Sequence, residues 1–181
     1  MLRLRPYKTS DAETIISWCK DEAAFRKWTS DRYESFPITT ADMNKKYIEN
    51  NGDCIESDNF YPMTAFDENG IVGHLIMRFT DERKTILRLG FVIVDDTLRG
   101  KGYGKEMISL SLKYAFEILK VDKVTIGVFE NNIPAYYCYK AAGFKDVDAK
   151  LQCEIFGETW KILELELTNE EYGRKIDEMR R

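Results

Sequence analysis

The stretch Arg99-Gly100-Lys101-Gly102-Tyr103-Gly104 restricts what this chain can fold into more than any other. Before it runs Leu89-Gly90-Phe91-Val92-Ile93-Val94, an apolar segment that reads as a buried strand. After it, Ile108, Leu112, Ala115, Phe116 and Leu119 recur at helical spacing over residues 105–119. The glycines therefore fall on a strand-to-helix turn. The first N–H groups of a helix lack intrahelical partners and carry partial positive charge, so such a turn attracts anions. Glycine adds positive φ and close backbone approach, which lets successive N–H groups cup a phosphate. Arg99, Lys101 and Lys105 bring positive charge to the same point. A phosphate or pyrophosphate suits this turn; a turn using glycine for conformation alone is the plainer alternative.

Two common nucleotide motifs fail on spacing. A P-loop needs Ser or Thr after its lysine, and here Glu106 follows Lys105. The dinucleotide fingerprint needs a third glycine where this chain has Lys105.

The 181 residues suit one domain with a substantial core. A net charge of −4 speaks against nonspecific binding to nucleic acid or to a membrane surface. No apolar run is long enough to span a bilayer, and Met1-Leu2-Arg3-Leu4-Arg5-Pro6 lacks the apolar centre of a signal peptide. Cys19, Cys54, Cys138 and Cys153 form no C-x-x-C pair and read as reduced thiols of a cytoplasmic protein. With His74 as its single histidine, the chain has little means to build a histidine metal site or a His-based triad, and no metal is expected.

In order, residues 2–7 alternate apolar and basic as a short first strand. Ser10, with Glu13 three positions on, reads as a capping box. The helix it opens carries Ile15, Ile16, Trp18 and Cys19, then, after a break, Ala23, Ala24, Phe25 and Trp28. Thr39-Thr40-Ala41-Asp42 caps a second helix to about Asn50. Three antiparallel strands are expected over 61–66, 71–79 and 85–94, joined by turns at 67–70 and 81–84. Beyond the glycine turn and its helix comes a strand over 123–129. A helix opened by Asn132-Ile133-Pro134-Ala135 and capped by Gly143 follows. Residues 153–156 and 159–167 close the fold as a hairpin across Gly157-Glu158. The pattern fits one α+β domain over 1–168, with a charged tail over 169–181 that reads as a surface helix or a frayed end.

Arg99-x-x-Gly102-x-Gly104 resembles the acyl-CoA pyrophosphate loop of the GNAT N-acyltransferase superfamily. Val128-Phe129-Glu130-Asn131-Asn132-Ile133-Pro134-Ala135, continued by Tyr139-Lys140-Ala141-Ala142-Gly143-Phe144, resembles that family's second conserved block. The element order agrees over residues 1–167, while the motifs occupy residues 89–144. The resemblance implies the acyl-CoA N-acyltransferase fold, a mixed central sheet of about six to seven strands flanked by helices. It implies acetyl-CoA as cosubstrate, held in a V-shaped cleft where one strand splays from the next. By the same resemblance, the N–H groups of Gly100, Lys101, Gly102, Tyr103, Gly104 and Lys105, beside Arg99, hold the cofactor pyrophosphate. Backbone groups of Val92, Ile93 and Val94 meet the pantetheine arm and thioester carbonyl. Asn132 contacts the cofactor, and Tyr139 protonates the leaving thiolate.

The residues support part of this on their own. Asn132 and Tyr139 stand roughly two helical turns apart, hence on one face. A phenol of pKa about 10 can donate to a departing thiolate. A backbone N–H at a strand end can stabilise an oxyanion, and holding amine and thioester together accelerates their reaction. Plainer uses stand beside these: Asn132 as an N-cap, Tyr139 as a core aromatic. His74 reads as a strand residue, with a catalytic base as the outside alternative. Trp18, Phe25, Trp28, Tyr33 and Phe36 read mostly as core; some could wall the acceptor pocket, which in the family lies near the first two helices.

One departure concerns the proton that an amine must lose before it attacks. Family members acetylating the N-terminal alanine of ribosomal proteins often carry a glutamate base five residues before the conserved asparagine, where this chain has Gly127. Others carry an acid on the strand before the pyrophosphate loop, where this chain has Leu87, Arg88, Leu89 and Gly90. Ordered water, Glu34, Glu56 or Asp67 are the alternatives. The expected activity is direct transfer of acetyl from acetyl-CoA to a primary amine in a ternary complex. The acceptor is a small-molecule amine, an aminoglycoside-like polyamine, an amino acid or a protein N-terminal amine. An acidic lining from Asp31, Glu34, Asp53 or Asp58 would suit a cationic one. A catalytically silent CoA-binding sensor is the alternative from another class, and a nucleotide- or phosphate-binding protein the third. The chain is expected as a monomer or homodimer, the C-terminal hairpin being a common dimer contact in the family.

Overall fold

Alternation of apolar side chains is satisfied on both faces of a single sheet in the computed structural model, which describes residues 1–180. Arg181, the last residue of the charged C-terminal segment, lies outside the described residues. The strands are β1 (Arg3–Pro6), β2 (Tyr61–Asp67), β3 (Gly70–Phe79), β4 (Ile86–Val94), β5 (Lys123–Phe129), β6 (Lys145–Ile155) and β7 (Glu158–Thr168). They lie in the order β1-β2-β3-β4-β5-β7-β6. All neighbours are antiparallel except β4 and β5, so the sheet is mixed, as the sequence predicts. The helices are α1 (Ala12–Ser17), α2 (Glu22–Thr29), α3 (Thr40–Asn44), α4 (Tyr103–Lys113), α5 (Ile133–Ala142) and α6 (Asn169–Met179).

Several boundaries differ from the sequence expectation, each for a local reason. Ser10 caps nothing: Thr9–Asp11 form a 3₁₀ turn, and Asp11 accepts from the Lys8 N–H at 3.0 Å. Helix α4 starts at Tyr103, two residues before the expected Lys105, with Gly102 as its N-cap. It winds on as a wider π-helical turn over Tyr114–Ile118. Strand β6 begins at Lys145 rather than near Cys153; as an edge strand with mostly exposed side chains it has little apolar periodicity to read. Its hairpin turns at Phe156 and Gly157, with φ of 57° and 72°, the two-residue geometry that matches strand twist. The charged tail is a helix: Thr168 and Glu171 form its capping box, and Tyr172 stacks on Phe116 with ring centroids 4.8 Å apart.

The sheet separates two apolar layers. On one face Leu87, Leu89, Ile126 and Leu165 pack against Met107, Ile108, Leu112 and Phe116 of α4 and its extension, and against Tyr139 of α5. On the other, Ile76 and Ile93 pack with Ile15, Trp18, Phe25, Trp28, Met43 and Tyr47 from the N-terminal helices. Asp11 joins this second layer to the sheet edge. Its carboxylate accepts two bonds from Arg5, at 2.7 and 2.9 Å, and one from the Thr64 hydroxyl at 2.8 Å. Burial alone would raise its pKa; the bonds from Arg5, Lys8 and Thr64 outweigh that and hold it below the ordinary carboxylate value.

His74 lies fully buried on β3, with Nε2 2.9 Å from the Tyr47 hydroxyl and its ring stacked on Tyr47. Burial pushes its pKa down from 6.5 to about 3, so the imidazole is neutral and structural, not the base held open as an outside alternative.

Two stability predictions follow from these buried polar groups. Asp11→Ala should destabilise the fold by about 2–3 kcal/mol in urea denaturation, since Arg5 and Thr64 lose a buried charged acceptor. For His74, between pH 6.5 and about 3 the unfolded chain binds a proton that the folded chain refuses. Stability therefore falls as pH falls through this window, by up to about 1.4 kcal/mol per pH unit. His74→Gln should flatten that acid limb in denaturation curves recorded from pH 7 to pH 4.

Candidate active site

The parallel pairing of β4 with β5 is short. It joins Ile86–Leu89 to Lys123–Ile126 and then stops, so from Gly90 and Gly127 onward the two strands part. A bulge causes this. Ile76 pairs with Gly90 but His74 pairs with Ile93, so β4 carries an extra residue against β3. Phe91 absorbs it with φ of 46°, and its carbonyl accepts from the Trp28 indole N–H at 2.9 Å. Beyond the bulge, the Asp95 N–H donates to the Val72 carbonyl at 2.9 Å. The alternation of an antiparallel ladder then turns the Ile93 backbone toward β3, and those of Val92 and Val94 toward the gap. Of the three strand-end positions expected to meet a thioester, Ile93 is therefore committed to the sheet. The Val94 carbonyl accepts a long bond of 3.4 Å from Arg99 Nε.

The glycine turn sits at the mouth of this gap. Gly100 and Gly102 have φ of 76° and 92°, and Gly102 is the N-cap of α4 with no side-chain cap. The N–H groups of Tyr103, Gly104 and Lys105 accordingly have no carbonyl one turn back to pair with, while Glu106 N–H reaches the Gly102 carbonyl at 3.0 Å. Lys101 N–H is turned back to the Leu98 carbonyl at 3.4 Å, so Lys101 brings charge and not an open amide. The Tyr103 hydroxyl donates to Asp67 at 3.1 Å, which leaves Tyr103 only its N–H for an anion. Arg99, Lys101 and Lys105 are exposed around the turn.

Helix α5 supplies the other two expected groups. Asn132 is its N-cap, yet its side chain caps nothing and makes no hydrogen bond among the described residues. The plain capping role is thus unrealised. Tyr139 is 5% exposed within the α4–α5 core, and its hydroxyl likewise has no partner among the described residues. Burial, and after it the neighbouring Cys138, push its pKa well above the ordinary phenol value, so the group stays protonated. An uncapped helix N-terminus, open amides, surrounding cations and an unengaged Asn132 amide together fit a pyrophosphate-bearing thioester.

Across the gap lies a cleft of about 440 Å³, walled by Trp28, Phe60, Ile76, Phe91 and Phe129 and floored by Gly90 and Gly127. A Cβ at Gly127 would stand 2.6 Å from Arg88 Nη2 and 3.2 Å from Glu164 Oε2. The position where the resemblance would place a glutamate base is thus overlaid by an Arg88–Glu164 ion pair, bidentate, with Glu164 directly opposite Gly127 on β7. Sequence reasoning overlooked Glu164 and Arg78, which also points into this region. The signal was present: a charge between two leucines at Arg88 and again at Glu164 marks a strand face that is not ordinary core.

Of the expected acidic lining, Asp53 alone borders the cleft, and it is paired with Lys46; Asp31 and Glu34 line a separate depression beside Glu22 and Glu154, and Asp58 stands outside the cleft. Of the alternative proton acceptors, Asp67 is held by Tyr103, and Glu56 alone lines the cleft. Among the described residues there is no His, Cys, Asp and Glu group able to hold a metal ion, and no helix long and apolar enough to cross a membrane.

The family model described as the acetyltransferase (GNAT) domain matches residues 1–145. The chain is 28% identical over 108 residues to the spermine/spermidine N(1)-acetyltransferase of Bacillus subtilis, covering 55% of this chain and 71% of that one. Spermidine N-acetyltransferase of Vibrio cholerae, solved with CoA and spermine, has the same fold, with a TM-score of 0.77 at 20% identity over 94% of this chain and 97% of the other. An aminoglycoside acetyltransferase solved with coenzyme A gives 0.73 at 15% identity, over 96% and 98%. Matched by that model over most of its length, with a sheet that parts after Leu89 and a glycine turn heading α4, this chain belongs to the GNAT acetyltransferase family and is an acetyl-CoA-dependent N-acetyltransferase.

Proposed function

We propose that the protein acetylates the primary amine of a small molecule by direct attack in a ternary complex, with Tyr139 as general acid. The observation that carries this reading is the parting of β4 from β5 between an uncapped helix N-terminus and an aromatic-walled cleft. A donor can enter from the glycine turn and an acceptor from the cleft, so that the two meet in the gap at Val92.

Acetyl-CoA supplies an activated acetyl group as its thioester. The N–H groups of Gly102 to Lys105, with Arg99 and Lys101 beside them, neutralise the pyrophosphate. Asn132 orients the arm, and the Val92 and Val94 backbone lines its path through the gap. An N–H there, fixed by the bulge, stabilises negative charge on the carbonyl oxygen without reorganising. The amine nitrogen bonds to the acetyl carbon, the carbon–sulfur bond breaks, and the sulfur takes the Tyr139 proton. The proton shed by the nitrogen passes to solvent or to Glu56, a carboxylate of the cleft lining that no cation holds among the described residues. The relatives named for polyamine acetylation support a small-molecule amine as acceptor. A leaving-group acid has no use in a module that only binds CoA, so Tyr139 favours the enzyme.

Tyr139→Phe should lower kcat about a hundredfold in a thiol-release assay, the scale of a lost general acid, while calorimetry finds acetyl-CoA affinity within about twofold of the parent. An unchanged kcat would falsify the assignment. Gly102→Val places a β-branched side chain at positive φ, at a cost of about 1–2 kcal/mol or more, and crowds the pyrophosphate. It should weaken acetyl-CoA binding at least about tenfold by the same calorimetry.

A further inference from the structure

Arg78 and Arg88 are directly paired across β3 and β4, on the face that opens into the cleft. Like charges opposite one another on neighbouring strands destabilise a sheet, and partial burial makes the repulsion worse. Arg88 is compensated by its bidentate bond to Glu164. Arg78 is not. Among the described residues four arginines are half-buried: Arg5 bonds Asp11, Arg26 bonds Glu22 and the Tyr33 carbonyl, Arg88 bonds Glu164, and Arg78 bonds nothing. Burial first, and then the Arg88 charge, lower its pKa from the ordinary guanidinium value, which measures how poorly the fold accommodates it. A half-buried cation opposite another cation, in a cleft wall and bonded to no carboxylate among the described residues, has no structural return.

The charged side chains of the lining are in cationic excess. Lys27 and Arg32 join the two arginines against Asp53 and Glu56; with Arg88 paired to Glu164, Arg32 to Asp31 and Asp53 to Lys46, Arg78 and Lys27 remain against Glu56. A polyamine, positive at each nitrogen, would add charge to a cleft already in surplus. We propose that Arg78, with Arg88 beside it, binds a carboxylate of the acceptor, so that the acceptor is an amino carboxylate and not a simple polyamine. The inference rests on the transferase reading of the same cleft and names its substrate class. The guanidinium fork matches a carboxylate in shape, and the ligand supplies the missing counter-charge. The register suits a small molecule: Arg88 stands four residues, at most about 13 Å along the strand, before Val92, where donor and acceptor meet.

The test uses matched pairs: amino acids and their decarboxylated amines, such as lysine with cadaverine and tyrosine with tyramine, together with spermidine. Thiol release from acetyl-CoA gives kcat/KM for each. For the best amino acid it should exceed that of its decarboxylated partner and of spermidine at least tenfold. Arg78→Gln should cut this ratio at least tenfold, through KM for the amino acid, with acetyl-CoA affinity unchanged. If that variant does not fold, Arg78→Lys, which keeps the charge and loses the fork, should raise the same KM. Preference for the decarboxylated amine or spermidine, or a ratio unmoved by substitution at Arg78, overturns the proposal. Silence toward every amine by protein that binds acetyl-CoA would instead strike the transferase reading. Calorimetry on protein saturated with CoA then judges the carboxylate site alone: heat from an amino acid and none from its decarboxylated partner supports it, and no heat from any amino acid overturns it.

Discussion

Everything functional in this molecule depends on one extra residue in β4. A regular ladder would carry β4 and β5 side by side to their ends and leave no gap. The bulge at Phe91 instead turns the strand, and the Trp28 indole holds the turned carbonyl in place from the opposite layer. That bond ties the N-terminal helices to the strand at the gap. The bulge also reverses side-chain parity. Leu87 and Leu89 face the α4–α5 layer, whereas Ile93, at the same odd spacing, faces the N-terminal helices.

The gap divides the labour between the two layers. On the α4–α5 side stand the groups of the proposed donor site: open amides, exposed cations, an unengaged asparagine amide and a phenol kept protonated by burial. On the other side the cleft is walled by aromatics and carries a cationic surplus. The two sides have no ionisable group in common, so acceptor preference can differ between relatives while the donor machinery is unchanged.

Charge is used differently at the edges and at the centre. Asp11, at the β1–β2 edge, gathers Arg5, Lys8 and Thr64, and every partner is satisfied. Lys123 and Glu166 form a similar closed pair across β5 and β7. Arg78 breaks the pattern in the middle of the sheet, where an unpaired charge is most costly and therefore most informative.

What the sequence by itself determined is local: the glycine turn, the strand before it, the helix after it, and helix α5 between Asn132 and Gly143. Each is written in periodicity, glycine placement and spacing within a short window, and each is found within a few residues of its expected place. Edge strand β6 was less legible, because an exposed edge has no apolar rhythm, and so was the role of Asp11, whose partner Thr64 is distant in sequence. Tertiary structure alone decided which strand-end backbones face the gap, that the space over Gly127 is filled by Arg88 and Glu164, and that Asp31 and Glu34 turn away from the cleft. Glu164 is 76 residues from Arg88, and the bulge depends on Trp28, 63 residues from Phe91. Contacts across such separations are set by how the layers pack, and no single stretch of sequence contains both partners.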